Sequence, residues 1–250
     1  MTADLRARLT VGALLVALLI CAWWYLAGMH MAPSELGAQM GHVHVSAWTP
    51  RDLAAVFIMW CVMMGAMMLP AAAPMVFAFV GLTRRHAPSA YLRLTIVFVA
   101  GYALVWAGYS VLATAAQWGL HQGALISAGG WSTSPYLSAG LLLTAGAFQF
   151  TSLKYACLEK CRTPLGFFAY EWRPGPRGAL TMGLRHGLYC VACCWAYMAL
   201  MFVLGVMNVW WMLTLALFVV VEKLAPAPVL IGRVAGVVAI AGALALLAAG

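Results

Sequence analysis

From Leu94 to Leu153 the chain carries no Lys, Arg, Asp or Glu, and neither does Leu9 to Gly28 nor Leu53 to Thr83. Stretches of that kind cannot make a water-facing surface. A soluble domain is about 25% charged; this chain of 250 residues is 8% charged and 65% hydrophobic. Lipid is the solvent that accepts such a sequence, and there the backbone must close its own hydrogen bonds, in helices or a sealed barrel. The apolar runs are long and do not alternate with a period of two, which selects helices.

The sequence therefore predicts an all-α, polytopic transmembrane helical bundle of about seven spans, forming a single domain over residues 1–250. The expected spans are about 9–28, 52–80, 92–116, 136–153, 186–207, 212–224 and 229–249. The first reads as a retained anchor, because Trp23, Trp24 and Tyr25 form an interfacial belt where a cleavage site would need small residues. Thr49 and Pro50 open the second span, with Thr as N-cap and Pro at the first helical position. Pro70 and Pro74 predict a kink or break in its second half. A short amphipathic or re-entrant piece is expected around Leu165 to Tyr170.

Net charge is +8. No zinc-finger spacing or helix-turn-helix pattern accompanies it, so nucleic acid is excluded as a partner and the lipid bilayer is the partner expected. The charge reads instead as topology. With a cytoplasmic N-terminus and seven crossings, thirteen of the fourteen basic residues fall on the cytoplasmic side, and Arg51 alone falls outside. The C-terminus is then outside, and the location is a bacterial inner membrane. Seven Cys, an odd number mostly within apolar runs, argue against a disulfide framework. Metal ligation, redox chemistry and plain packing stay open for them.

Three groups of soft-ligand residues stand out, and topology places each. The outer loop holds Met29, His30, Met31, Met40, His42 and His44. Thioether and imidazole suit copper, thioether Cu(I) in particular, so this is a candidate capture site. In the second span Met59, Met63 and Met67 form one ladder with four-residue spacing, and Met64 and Met68 a second beside it. Gly65 and Ala66 between them are expected to admit a neighbouring helix. In the fifth span His186, Cys190, Cys193, Cys194, Tyr197 and Met201 share one helix face, an arc of about 100°. Cys157 and Cys161 sit four apart at the inner end of the fourth span, where Lys154, Lys160 and Arg162 are expected to favour thiolate. Met stripes and buried Cys also serve as core filler, but five Met in the ten residues from Met59 to Met68 exceed what filling asks for. From outside to inside the ligands grade from Met/His through Met to Cys. An ion could step inward down rising affinity. Glu222 and Lys223, at the inner end of the sixth span, are expected to pair with each other.

These same segments carry a family resemblance. Met63-Met64-Gly65-Ala66-Met67-Met68-Leu69-Pro70, Leu153 through Cys161 to Pro164, Gly187-Leu188-Tyr189-Cys190-Val191-Ala192-Cys193-Cys194-Trp195 and Glu222-Lys223 resemble a bacterial family of predicted metal-binding integral membrane proteins, a domain of unknown function. The resemblance covers about residues 50 to 235 and implies a copper-related role. The Met ladder is also similar to the Met pairs of eukaryotic copper-uptake channels, which have fewer spans.

Three functions compete. The first is a transition-metal binder, with Cu(I) as its ligand, that transports the ion or delivers it to a metal chaperone or membrane metalloenzyme. The second is a membrane thiol oxidoreductase using Cys190 and Cys193. The third is an accessory subunit without metal. Hydrolysis is disfavoured, because the six acidic residues lie in loops or at membrane edges. No nucleotide-binding glycine motif precedes a suitable Lys.

Overall fold

A computed structural model describes residues 3–31, 48–127 and 130–249, with nothing described for the side chains of Ala3, Asp4, His30 and Met31. The described residues are helical almost throughout. In chain order the helices are α1 (Ala3–Met31), α2 (Pro50–His86), α3 (Tyr91–Gln122), α4 (Pro135–Phe148) and α5 (Ser152–Arg162). They continue with α6 (Pro164–Glu171), α7 (Gly175–Ala199), α8 (Met201–Leu204), α9 (Val209–Leu224) and α10 (Pro228–Ala249).

Local chemistry sets several of these boundaries. At the start of α2 the Thr49 N–H donates to Asp52 Oδ2 at 2.8 Å and Thr49 Oγ1 accepts from the Asp52 N–H at 3.4 Å. This reciprocal capping box satisfies two otherwise orphaned donors. Arg84, Arg85 and His86 in its last turn face the negative end of the helix dipole. Asn208 Oδ1 caps α9 by accepting from the Trp210 and Trp211 N–H groups at 3.1 and 3.3 Å. Despite Pro70 and Pro74, α2 is one unbroken helix. Tyr102 brings a hydroxyl donor to the Met68 carbonyl at 3.2 Å, within the region where the prolines remove amide donors.

Among the described residues, five helical segments are long and apolar enough to cross a membrane: Leu5–Met29, Pro50–His86, Tyr91–Gln122, Gly175–Leu204 and Pro228–Ala249. The expected spans at 136–153 and 212–224 correspond to α4 and α9, of 14 and 16 residues. Both are shorter than the roughly 20 residues a bilayer core asks for. The fourth expected span is cut short because the chain turns at Gln149–Thr151 and restarts as α5, capped by Thr151. The fifth begins eleven residues earlier than expected, at Gly175 instead of His186. The piece expected around Leu165 to Tyr170 is α6, amphipathic in burial: Leu165 and Tyr170 are exposed, while Phe167 and Phe168 are buried.

The main pairing is α3 along α7, followed by α4 along α10 and α2 along α3. A Cβ on Gly183 would collide with the Phe98 carbonyl, one on Gly101 would meet the Leu180 carbonyl at 2.6 Å, and one on Gly187 the Tyr102 carbonyl at 3.2 Å. Glycine is what brings these two backbones together. The expectation for Gly65 is corrected: nothing lies within 4 Å of a Cβ there, so the close approach is made at α3 and α7 instead. Around this spine lie two buried clusters. One, rich in aromatics, stacks Phe79 on Phe98 with ring centroids 4.6 Å apart. The other gathers the methionines of α2 with the cysteines of α5 and α7. Outward-facing Leu and Val side chains cover much of α1 and α10.

Candidate metal centre

The close approach of α3 and α7 places Tyr102 against Cys190, hydroxyl to sulfur at 3.2 Å. The same hydroxyl reaches the Met68 carbonyl, so one side chain ties the α2 methionine ladder to the α7 cysteines. All of Met59, Met63, Met64, Met67 and Met68 are buried in one cluster with Cys157, Cys161, Cys190, Cys193, Cys194 and Met201.

Four thiols meet there. Cys193 Sγ lies 3.4 Å from Cys194 Sγ and donates to the Cys190 carbonyl at 3.2 Å. Cys161, arriving on α5, contacts Cys190 and Cys193, and Cys190 also contacts Cys194. None of the four is in a disulfide. Lys223 comes from α9 and its Nζ donates to Cys161 Sγ and Cys190 Sγ, each at 3.1 Å. His186, one turn before Cys190, is fully buried against Phe98, Tyr102 and Phe167. Neither of its ring nitrogens has a hydrogen-bond partner among the described residues. A buried imidazole left that way carries a desolvation cost that a bound cation would offset.

As they stand, no three His, Cys, Asp or Glu side chains among the described residues are arranged to hold a metal ion. The sulfurs are turned toward each other and toward the Lys223 ammonium. The donor set nevertheless fits a soft cation: thiols, thioethers and an unsatisfied imidazole, all shielded from water. Two buried sulfurs of a CxxC pair also suit disulfide exchange poorly, since exchange needs an accessible thiolate.

A second polar group lies beside the first. Lys154 and Glu222, both fully buried, form an ion pair at 2.6 Å. Tyr197 OH lies 2.8 Å from Lys154 Nζ and donates to Gln149 Oε1 at 2.7 Å, and Lys154 also donates to Gln149. Gly232 leaves room for the carboxylate, since a Cβ there would meet Glu222 Oε1 at 2.7 Å. Two expectations are corrected here. Glu222 and Lys223 do not pair, because successive residues on a helix point about 100° apart; each finds a different partner. Nor do Lys154, Lys160 and Arg162 serve the Cys157–Cys161 pair. Lys154 turns to Glu222, Lys160 lies over the Tyr170 ring at 5.5 Å, and Arg162 donates to the Ala225 carbonyl at 2.6 Å. Burial pushes the Cys157 thiol up, toward its neutral form.

Of the outer group, Met29 is half-buried against the methionine cluster at the end of α1. The side chains of His30 and Met31, and the whole of Met40, His42 and His44, lie outside the described residues. Tyr102 and Gln149 escaped sequence reasoning, and Lys223 was assigned the wrong partner. The signal for Lys223 and Lys154 was there: an ionisable residue in or against an apolar run is costly and marks a site by default.

Comparison with known families decides the broader assignment. A family model described as PpoB2, copper chaperone, matches residues 57–246. The chain belongs to the PpoB2 copper chaperone family. The match runs from the third turn of α2 to most of α10, and so takes in every Met and Cys of the buried cluster from Met59 onward. The match supports the copper-related family that the resemblance implied. Searches of the curated proteins and of the solved structures return no significant match.

Proposed function

We propose that this chain is an integral protein of a bacterial inner membrane that binds copper as Cu(I) in its buried sulfur core and hands it on. The observation that carries the reading is the meeting of Cys161, Cys190, Cys193 and Cys194 in the same buried cluster as the five α2 methionines. Thiols and thioethers select Cu(I) over the hard cations that abound in cells. Cys190 is the centre of the arrangement, touching Tyr102, Lys223, Cys161 and Cys194. Met59, Met63, Met64, Met67, Met68, His186 and Met201 are the further donors proposed, with Cys157 and Cys161 at the inner end. Met29, His30, Met31, Met40, His42 and His44 form the outer capture site. Cu(I) passes inward from thioether to thiolate and leaves to a metal chaperone or a membrane metalloenzyme.

The membrane path in this reading keeps seven crossings, with the N-terminus cytoplasmic and the C-terminus outside. The positive-inside bias supports it, as does the packing of α4 along the full-length α10 and of α9 against α2.

Elemental analysis of detergent-purified protein, expressed with and without copper under reducing conditions, tests the reading. Near-stoichiometric copper is expected in the native protein. It is expected to be lost when Cys190, Cys193 and Cys194 are all changed to Ser. Absence of copper from the native protein under both conditions would overturn it.

A further inference from the structure

Lys223 is a cation among sulfurs. Its side chain is 3% exposed, and its ammonium donates to Cys161 and Cys190 at 3.1 Å each. A charge buried this deeply needs a partner of opposite sign. The nearest carboxylate in sequence, Glu222, is turned away and has Oε1 taken by Lys154 at 2.6 Å. What balances Lys223 is therefore sulfur in its thiolate form, the same group that would hold the metal. An ammonium and Cu(I) each carry a single positive charge, so exchanging one for the other leaves the net charge of the pocket unchanged. The lysine is also able to leave. It sits in the last turn of α9, one residue before the helix ends at Leu224, on a flexible four-carbon stem that can carry its head to the interface.

We propose that the Lys223 ammonium is the resident cation of the thiol pocket and that Cu(I) binds by displacing it, which makes Lys223 the residue that sets how tightly the pocket holds copper. The proposal rests on the copper reading above. The lysine keeps the sulfurs gathered before the metal arrives. It also competes with the metal once it is bound, which suits a protein that must release its cargo.

The test uses full-length protein in detergent, with Cu(I) as the probe and a chromophoric Cu(I) chelator as competitor. Lys223→Met, similar in length and uncharged, is expected to hold Cu(I) at least about tenfold more tightly, a shift of about 1.4 kcal/mol. Lys223→Arg, which keeps the charge, is expected to bind no more tightly than the native protein. Unchanged or weaker binding by the folded Met variant overturns displacement. A second measurement needs no variant. The chain has three lysines, Lys154, Lys160 and Lys223. Amine acylation read by mass spectrometry should label exposed Lys160 and spare Lys154 in both states, and should label Lys223 only after copper is loaded. Copper bound while Lys223 stays protected overturns displacement and leaves the copper reading standing. No copper bound by any form overturns both.

Discussion

Glu222 and Lys223 adjoin in the chain and belong to different charge groups. Glu222 joins Lys154, Tyr197 and Gln149 through its Oε1, while its buried Oε2 has no hydrogen-bond partner among the described residues, whereas Lys223 completes the thiol pocket. Removing one member of a buried ion pair strands the other. Lys154→Met should therefore destabilise the fold by about 3–5 kcal/mol. Lys154→Met combined with Glu222→Met should recover most of that loss, since two apolar side chains leave no unpaired charge. Unfolding in detergent measures both, and equal losses in the single and double variants would show that the pair itself is not what matters. The methionines call for the opposite outcome. Changing Met63, Met64, Met67 and Met68 to Leu nearly conserves volume, at a cost of under about 1.5 kcal/mol each. The fold should survive while copper occupancy falls; unchanged occupancy would reduce these residues to packing. At this scale the shared face of His186, Cys190, Cys193 and Cys194 was legible, because helical period alone lines it up. The partners of Lys154 and Lys223 were not. They lie 68 positions away in one case and 62 and 33 in the other, and only tertiary packing brings them near.

Among the elements, α3 and α7 form the spine, and three glycines set their separation. Inside a membrane the apolar effect does not drive helices together, so close packing and hydrogen bonds must. Gly183→Ala forces a methyl into the Phe98 carbonyl and should cost about 1–3 kcal/mol as the helices part. The Tyr102–Cys190 contact, held across the same seam, should loosen with it and lower copper affinity. Gly65→Ala on α2 meets open space and should be neutral or stabilising by about 0.4–1 kcal/mol. Thermal unfolding of the two variants side by side separates a packing seam from helix propensity; equal effects would refute the seam. Small residues do admit a neighbour, but the close backbone approach is at the glycines of α3 and α7 and not at Gly65 of α2. Every apolar run offers glycines, and which of them faces another backbone depends on rotation about the helix axis. Helix existence was legible from the charge-free runs, and the opening of α2 from Thr49 and Pro50. The restart at Gln149–Thr151 was not, since its signal is a single buried Gln and an N-capping Thr inside an apolar stretch.

For the whole molecule, the crossing number decides where the thiol pocket opens. Helices α4 and α9, at 14 and 16 residues, span about 21 and 24 Å against a hydrocarbon core of about 30 Å. If both cross, by thinning the bilayer locally or by borrowing flanking residues, the segment around Arg173 is cytoplasmic and the turn at Gly205–Asn208 is outside. If neither crosses, the two exchange sides. Lys160, Arg162, Arg173, Arg177 and Arg185 would then all lie outside, against the positive-inside bias. Short epitopes inserted after Pro174 and after Asn208, probed in intact spheroplasts and in inverted vesicles, distinguish the two arrangements. Seven crossings require the first tag to be reached only in inverted vesicles and the second only in spheroplasts. The reverse pattern would leave five crossings. It would also put Cys161 and the end of α9 on opposite sides of the membrane, which their contact through Lys223 at 3.1 Å does not allow without a re-entrant turn. That contact is why we expect the first pattern.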